Sequence, residues 1–355
     1  MPIYISRPHT VLPTHKVATA DIVNDILQRH PDHPRRKSIP RILQGLNVDT
    51  RYFTRPLDSP TVSGTAPIDD RAFAAFEDAL ALATEAARRT LTETGLDRDR
   101  DNMADIDGLI TAHSTGWSVP NLDIQLINPL NLRPTIQRSA ITTLACAGGT
   151  QALIRAIDMV RGHPGSKVLV VAAEVISSVY NHNDTSIEAM IYKALFGDSA
   201  AACIVSDEPY GPGLRVDEPG DTFEYVLPDS LERYHGRIAP DGFHFESTKE
   251  ALSAADDVLP ALTDWLGKDQ TLDFAVIHPG SPRIITDTAH ALGLTDHDAR
   301  HSTATLRDEG NLGGVSVFRV LERTHLDPPP AGARGLAVAF GPGFSTAAIR
   351  GTWTA

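Results

Sequence analysis

The sequence predicts an α/β fold built from two pseudo-duplicated strand–helix halves, residues 1–212 and 213–355. Three observations predict it. The run SKVLVVAAEV (166–175) is uninterrupted and apolar, the pattern of a strand buried on both faces of a helix-flanked sheet. Such runs alternate with stretches of helical spacing, the order of a layered sheet-and-helix domain. The ending ALFGDSAAACIVS of the first half is echoed by LAVAFGPGFSTAAIR in the second, which reads as an internal repeat.

The elements follow in order. The first sixty-odd residues are Pro-rich and read as irregular, with short helical stretches such as TADIVNDILQRH (19–30). In residues 71–96 the spacing predicts a helix whose apolar side carries Phe73, Phe76, Ala79, Leu80, Ala83 and Ala87. A charged linker (97–107) precedes the strand DGLITAHS, and SAITTLAC is a second strand. GGTQALIRAIDMVRGHPG (148–165) is a helix with Ala152, Leu153, Ala156, Ile157 and Val160 on its buried stripe, ended by the HPG turn. A second helix leads to FGDSAAACIVSDEP, a turn and a strand. Residues 210–245, rich in Gly, Pro and Asp, read as a surface excursion. A helix (248–267), the strand DFAVIH, a helix (283–294), the turn–helix NLGGVSVFRVLERTH and the strands GLAVAFGPG and FSTAAIRGTW complete the chain.

Composition narrows the function. The 355 residues are 41% apolar and 22% charged, ordinary for a globular protein. A formal net charge of −13 argues against nucleic acid as a partner, because phosphate backbones demand a basic surface. Cys146 and Cys203 are the only cysteines, which implies a reducing compartment rather than a disulfide framework. The N-terminus lacks the layout of a signal peptide, and no stretch approaches the roughly 18 apolar residues of a membrane span. The expectation is a cytoplasmic protein. Fourteen histidines include no HExxH or paired-cysteine spacing, so no metal is expected. GPGFST lacks the spacing and following helix of a dinucleotide site.

Chemistry concentrates at three positions. Cys146, in TLACAGGTQAL, lies where an apolar run meets a small-residue turn and a helix. The helix dipole and free N–H groups there favour thiolate, and Gly148 and Gly149 allow close approach. Cys203 has no turn beside it and reads as an inert buried thiol. His278 follows DFAVI at the carboxyl end of a strand, where open α/β sheets build their sites. Asn311 lies between Gly310 and a helical segment. Singly, His278 reads as structural and Asn311 as a helix cap. Together a thiol, an imidazole and a carboxamide, each at an element terminus, complete one acyl-transfer mechanism through a thioester.

These motifs resemble those of the chalcone synthase family, the type III polyketide synthases. The likeness runs from about residue 40 to the C-terminus. It comprises STGWSVPNLDIQLINPLNLRP, LACAGGT, KVLVVAAEV, ALFGDSAAA, VIHPGSP, GNLGGVSV and FGPG, in family order. The HPGxP element separates it from ketoacyl synthase III enzymes, which resemble the chain around the cysteine but carry HQAN at the histidine. The resemblance implies a thiolase-like fold with a layered αβαβα core. It implies Cys146 as nucleophile with His278 and Asn311 as its partners, the first in the N-terminal half and the others in the C-terminal half. Phe196 matches an aromatic between the coenzyme A tunnel and the cavity, and Phe243 a second one. Arg41 falls where a cation contacts coenzyme A phosphates, within a basic stretch (30–41) that otherwise reads as solvated surface. Ser114, Thr115, Ile176 and Val179 match cavity positions. Val119 matches one that reaches into a partner subunit, which implies a homodimer.

Departures from the family pattern bear on product. One residue is missing between Cys146 and the Gly-Gly pair, HPGGP reads HPGSP with Ser281, and the serine pair after the asparagine is Gly313-Gly314. Ile176 and Val179 replace threonines of the plant enzymes, so more alkyl surface faces the growing chain. The expected reaction is decarboxylative condensation of malonyl-CoA with an acyl-CoA starter, with a Cys146 thiolate and His278 imidazolium, giving a pyrone or aromatic polyketide without metal or organic cofactor. Two other readings are acyl transfer from coenzyme A to a hydroxyl or amine without elongation, and a degenerate subunit acting only as a dimer partner.

Overall fold

The computed structural model describes residues 1–97, 103–179, 184–248, 254–267 and 271–355. Short strands β1 (Ile3–Ile5), β2 (His9–Val11) and β3 (His15–Ala18) open the chain, followed by helices α1 (Thr19–Arg29) and α2 (Ile39–Gln44). Then come β4 (Thr50–Phe53), α3 (Pro60–Ser63) and the long α4 (Ile68–Thr94). The first half continues with β5 (Gly108–His113), α5 (Leu122–Gln125), β6 (Gln137–Thr142), α6 (Gly148–Gly162), β7 (Lys167–Glu174), α7 (Ile187–Leu195) and β8 (Ser199–Ser206). Strands β9 (Gly213–Val216), β10 (Thr222–Val226), β11 (Tyr234–Ala239) and β12 (Gly242–Ser247) bridge to the second half. That half holds α8 (Ala254–Leu266), β13 (Phe274–Ile277), α9 (Pro282–Ala291), α10 (Arg300–Glu309), α11 (Ser316–Leu326), β14 (Arg334–Phe340) and β15 (Ser345–Thr354).

One hydrogen-bonded path runs β13-β14-β15-β9-β1-β8-β7-β5-β6. In the first half β5 pairs parallel with β7 (Ile110 beside Val170) and β7 antiparallel with β8 (Val170 beside Cys203). The second half repeats the scheme, β13 parallel to β14 and β14 antiparallel to β15. Alternation along the strands fixes the layers. Val168, Val170 and Ala172 of β7, Ala201 and Cys203 of β8, and Ala337 and Ala339 of β14 face one core, together with the apolar sides of α6 and α11. Their neighbours Leu169, Val171, Ala173, Ala200, Ala202, Leu336 and Val338 face another, shared with α4 and α9. Helices α6 and α11 therefore form a middle layer between two sheet halves, with helices outside each: the αβαβα arrangement.

The stripe expected on α6 (Ala152, Leu153, Ala156, Ile157 and Val160) is buried throughout. On α4 the expectation is corrected at Phe73, which is 60% exposed, because Ala75, Ala86 and Leu91 carry the core contact instead. The N-terminal segment is not irregular: β1 is inserted between β8 and β9. The stretch 210–245 is not a surface excursion either, since β9 and β10 join the main sheet and β11–β12 form a hairpin over the site. Parts of the expected linker (98–102) and of the expected helix (249–253) lie outside the described residues. Among the described residues no helix is long and apolar enough to cross a membrane.

The middle layer is closed by glycine. A Cβ on Gly149, at the start of α6, would lie 1.9 Å from the Gly314 carbonyl oxygen, and one on Gly314 would lie 3.0 Å from the Ala145 carbonyl oxygen. The starts of the two middle helices thus touch backbone to backbone, which no side chain would permit. Gly149→Ala is expected to destabilise by about 3 kcal/mol or more through overpacking against unyielding backbone. Gly162→Ala, with nothing within 4 Å of its Cβ position, is expected to be neutral or slightly stabilising. Thermal denaturation of the two variants checks this, and equal melting temperatures would show that the helix starts can separate freely.

Candidate active site

Cys146 sits in a 3₁₀ turn, Ala145–Ala147, between β6 and α6, and is 7% exposed. The loop that presents it is strained: Thr143 (φ 62°) and Ala145 (φ 45°) both occupy the left-handed region without being glycine. Each such residue costs about 1–3 kcal/mol, so the surroundings must hold them. Ser114, just beyond β5, does part of this by accepting a hydrogen bond from the Ala145 N–H at 2.8 Å.

Asn311 occupies the connection between α10 and α11. Its backbone N–H donates to Leu195 O, and its own carbonyl accepts from the Gly197 N–H, so it bridges to the end of α7 beside Phe196. The side-chain oxygen accepts from the Gly313 N–H at 2.9 Å and from the Ser316 hydroxyl at 3.4 Å. The amide nitrogen is left to face Cys146 Sγ at 3.9 Å. Gly313 has φ +57°, and a Cβ there would lie 3.1 Å from Glu174 Cγ, so glycine is required both by the turn and by the neighbour.

His278 follows β13 and is 1% exposed. Its N–H donates to Val338 O of β14, and three residues on a Cβ at Gly341 would meet Ala147 Cβ and the Leu144 carbonyl, each at 3.0 Å. The histidine is therefore at the strand end that abuts the cysteine loop. Its Nδ1 is buried without a hydrogen-bond partner among the described residues, and no hydrogen bond joins its ring to Cys146 or Asn311.

A cavity of about 280 Å³ opens at Cys146. Ser114, Thr115, Ile176, Phe196, Phe243 and Gly313, all read from the sequence as pocket residues, line it. Arg41 lies on the exposed surface of α2 and is not brought to this cavity. Val179 ends a 3₁₀ turn, Ser177–Val179, and its side chain lies outside the described residues. Sequence reasoning missed three kinds of contributor: hairpin aromatics, the arginine that fixes the hairpin, and a buried carboxylate. Tyr234 and Phe245, from the hairpin, also line the cavity. With Tyr192 and Phe196 they form a box of rings whose centroids are 5.8–6.4 Å apart. Arg71, 1% exposed, fixes that hairpin by donating to Asp241 O and to Ser178 O, each at 3.0 Å.

The third is Glu174, the last residue of β7, which lines the cavity at 3% exposure. It accepts hydrogen bonds from the Ser114 N–H (3.2 Å) and Thr115 hydroxyl (3.1 Å). Burial outweighs those bonds and raises its carboxyl to about 7. A lone acid ending an otherwise apolar strand was the available signal.

The expected thiolate–imidazolium pair is corrected to a neutral thiol and a neutral imidazole. Burial, with a further push from Glu174, raises the Cys146 thiol to about 12 despite the Asn311 amide. Burial also lowers His278 to about 3. At neutral pH both are uncharged, because the dry site penalises each charge more than the helix start favours the thiolate. The thiolate fraction must then grow about tenfold per pH unit up to the thiol's own value. Site-resolved mass spectrometry of iodoacetamide labelling is expected to show Cys146 reacting steadily faster from pH 7 to pH 9. A plateau near pH 7 would show a thiolate already present at rest.

Comparison with known proteins completes the description. Residues 9–209 match the family model of chalcone and stilbene synthases, N-terminal domain. Phloroglucinol synthase of Pseudomonas fluorescens is 30% identical over 353 residues, covering 98% of each chain. The structure superimposes on 1,3,6,8-tetrahydroxynaphthalene synthase of Streptomyces coelicolor, a bacterial type III polyketide synthase, with a TM-score of 0.90, 29% identity and 99% of each chain covered. Germicidin synthase of the same organism, also a type III polyketide synthase, gives 0.89 at 28% identity over 99% of this chain and 100% of that one.

Proposed function

We propose how this chain, which belongs to the chalcone and stilbene synthase family, carries out its chemistry. It is a type III polyketide synthase, an acyltransferase that condenses an acyl-CoA starter with malonyl-CoA by decarboxylative Claisen condensation. The observation that carries the mechanism is the Asn311 amide nitrogen held 3.9 Å from Cys146 Sγ, the thiol that lines an aromatic-walled cavity.

Cys146 sulfur attacks the starter thioester, its proton passing to His278 as the C–S bond forms, and coenzyme A leaves as the thiol. Neutral thiol and neutral imidazole suit this order, because charge appears only once substrate is bound. Malonyl-CoA then enters, and Asn311 with His278 binds its thioester oxygen. Carbon dioxide leaves, the oxygen becomes an enolate, and preset donors stabilise it most when its charge peaks. The enolate carbon attacks the Cys146-bound acyl carbonyl and the sulfur departs. Repetition and ring closure give an aromatic or pyrone polyketide. Every step is acid–base or acyl transfer, so the reaction as proposed uses no metal or organic cofactor. Arg41 is the proposed contact for coenzyme A phosphates, and Val179 a proposed cavity residue.

A homodimer is supported by β6, a sheet edge on which every residue but Ile141 is exposed, and by Trp117 and Val119, 75% and 80% exposed in the segment that follows β5. Its two cysteines, both free, support a reducing compartment, as expected of a cytoplasmic protein.

Removing one preset donor to an oxyanion typically costs about 10²–10³-fold. Asn311→Ala is expected to slow release of labelled carbon dioxide from malonyl-CoA by about that factor, and to slow acyl loading of Cys146 much less. Wild-type decarboxylation in the variant would refute the role, and no labelled carbon dioxide from the wild type would leave simple acyl transfer as the activity.

A further inference from the structure

We infer that Ser316 is a positioning residue that dictates which end of the Asn311 amide faces the reacting oxygen. The inference rests on the donor role given to Asn311 above. An asparagine side chain can turn over and present oxygen instead of nitrogen with almost no change in shape. Only its partners decide. Presenting oxygen to a developing enolate would place negative charge against a lone pair, so the orientation is a requirement of the reaction.

Ser316 is the first residue of α11 and is wholly buried. Its oxygen accepts the Leu312 N–H at 3.0 Å. That bond occupies a lone pair and leaves the single hydroxyl proton free to point elsewhere. The proton goes to Asn311 Oδ1 at 3.4 Å. The Gly313 N–H, at 2.9 Å, is the second donor to the same oxygen. Two donors thus converge on Oδ1, and the nitrogen has nowhere to face but Cys146. Turning the amide over would set the NH₂ against the Gly313 N–H and leave the wholly buried Ser316 hydroxyl to find another acceptor. The Gly313 bond alone is local, made within the same turn. Ser316 ties the amide to α11, and so to the helix whose start abuts the cysteine loop through Gly314 and Gly149.

Ser316→Ala removes one of the two donors. Decarboxylation of malonyl-CoA is expected to fall about tenfold more than acyl loading of Cys146, the scale of one buried hydrogen bond. The fall should appear in kcat with KM little changed, because the amide is misdirected rather than lost. Ser316→Thr, which keeps the hydroxyl, should recover most of the rate. A double-mutant cycle separates positioning from loss of structure. In the Asn311→Ala background, Ser316→Ala should have no further effect on decarboxylation. A tenfold fall in both backgrounds, or loading and decarboxylation falling together, would overturn the inference. A normal decarboxylation rate in Ser316→Ala would overturn it also, while Asn311→Ala alone tests the underlying mechanism.

Discussion

The backbone contact between Gly149 and Gly314 is the constraint on which the site depends. A Cβ at the first would fall 1.9 Å from the carbonyl oxygen of the second, so the middle layer closes only because neither residue has a side chain. Gly149 lies in the first turn of α6, three residues after the nucleophile, and Gly314 in the 3₁₀ turn that leads into α11, three residues after the carboxamide. The pseudo-duplication thus has a chemical consequence. Two equivalent helix starts meet at the centre of the protein, and the loops preceding them converge on one cavity. Histidine arrives by a different route, from the end of β13, carried to the same place by the parallel pairing of β13 with β14.

Burial then sets the electrostatics. Cys146, His278 and Glu174 are all buried, and each responds by favouring its neutral form. The same dryness strengthens any donor aimed at a charge that appears during reaction. A site that is electrically quiet at rest and strongly interacting once an enolate forms gains its selectivity from that difference. It also protects a reactive carbanion from protonation by solvent. The aromatic box and the hairpin pinned by Arg71 supply apolar walls of the cavity.

Much of this was legible in the residues. The apolar run of β7 announced a strand buried on both faces, and its alternate residues do face the two cores. The stripe on α6 was legible because helical spacing in a fully buried helix leaves few alternatives. Cys146, Asn311 and His278 could be found because each ends an element, a position visible from the change of pattern. What could not be read depends on contacts distant in sequence. The β11–β12 hairpin looks like surface loop because its apolar residues face a cavity rather than a core, so the alternation is weak. Phe73 keeps the helical period yet points outward, since it sits at the margin of the apolar stripe, where Ala74, Ala75 and Phe76 of the same turn take the buried face. Glu174 and Ser316 look ordinary until a fold places one beneath Gly313 and the other behind the Asn311 amide. The neutral resting state of Cys146 was hidden for the same reason, as helix position suggests thiolate and only depth of burial reverses it.

The central claim is that Asn311 and His278 together bind the oxygen that becomes the enolate, beside a thioester on Cys146. A crystal structure of the protein with a malonyl thioester analogue that cannot decarboxylate tests it most directly. The account predicts the thioester oxygen about 3 Å from both Asn311 Nδ2 and the His278 ring, with the malonyl methylene facing Cys146 Sγ. A thioester oxygen held by other groups, or lying outside the Cys146 cavity, would contradict it.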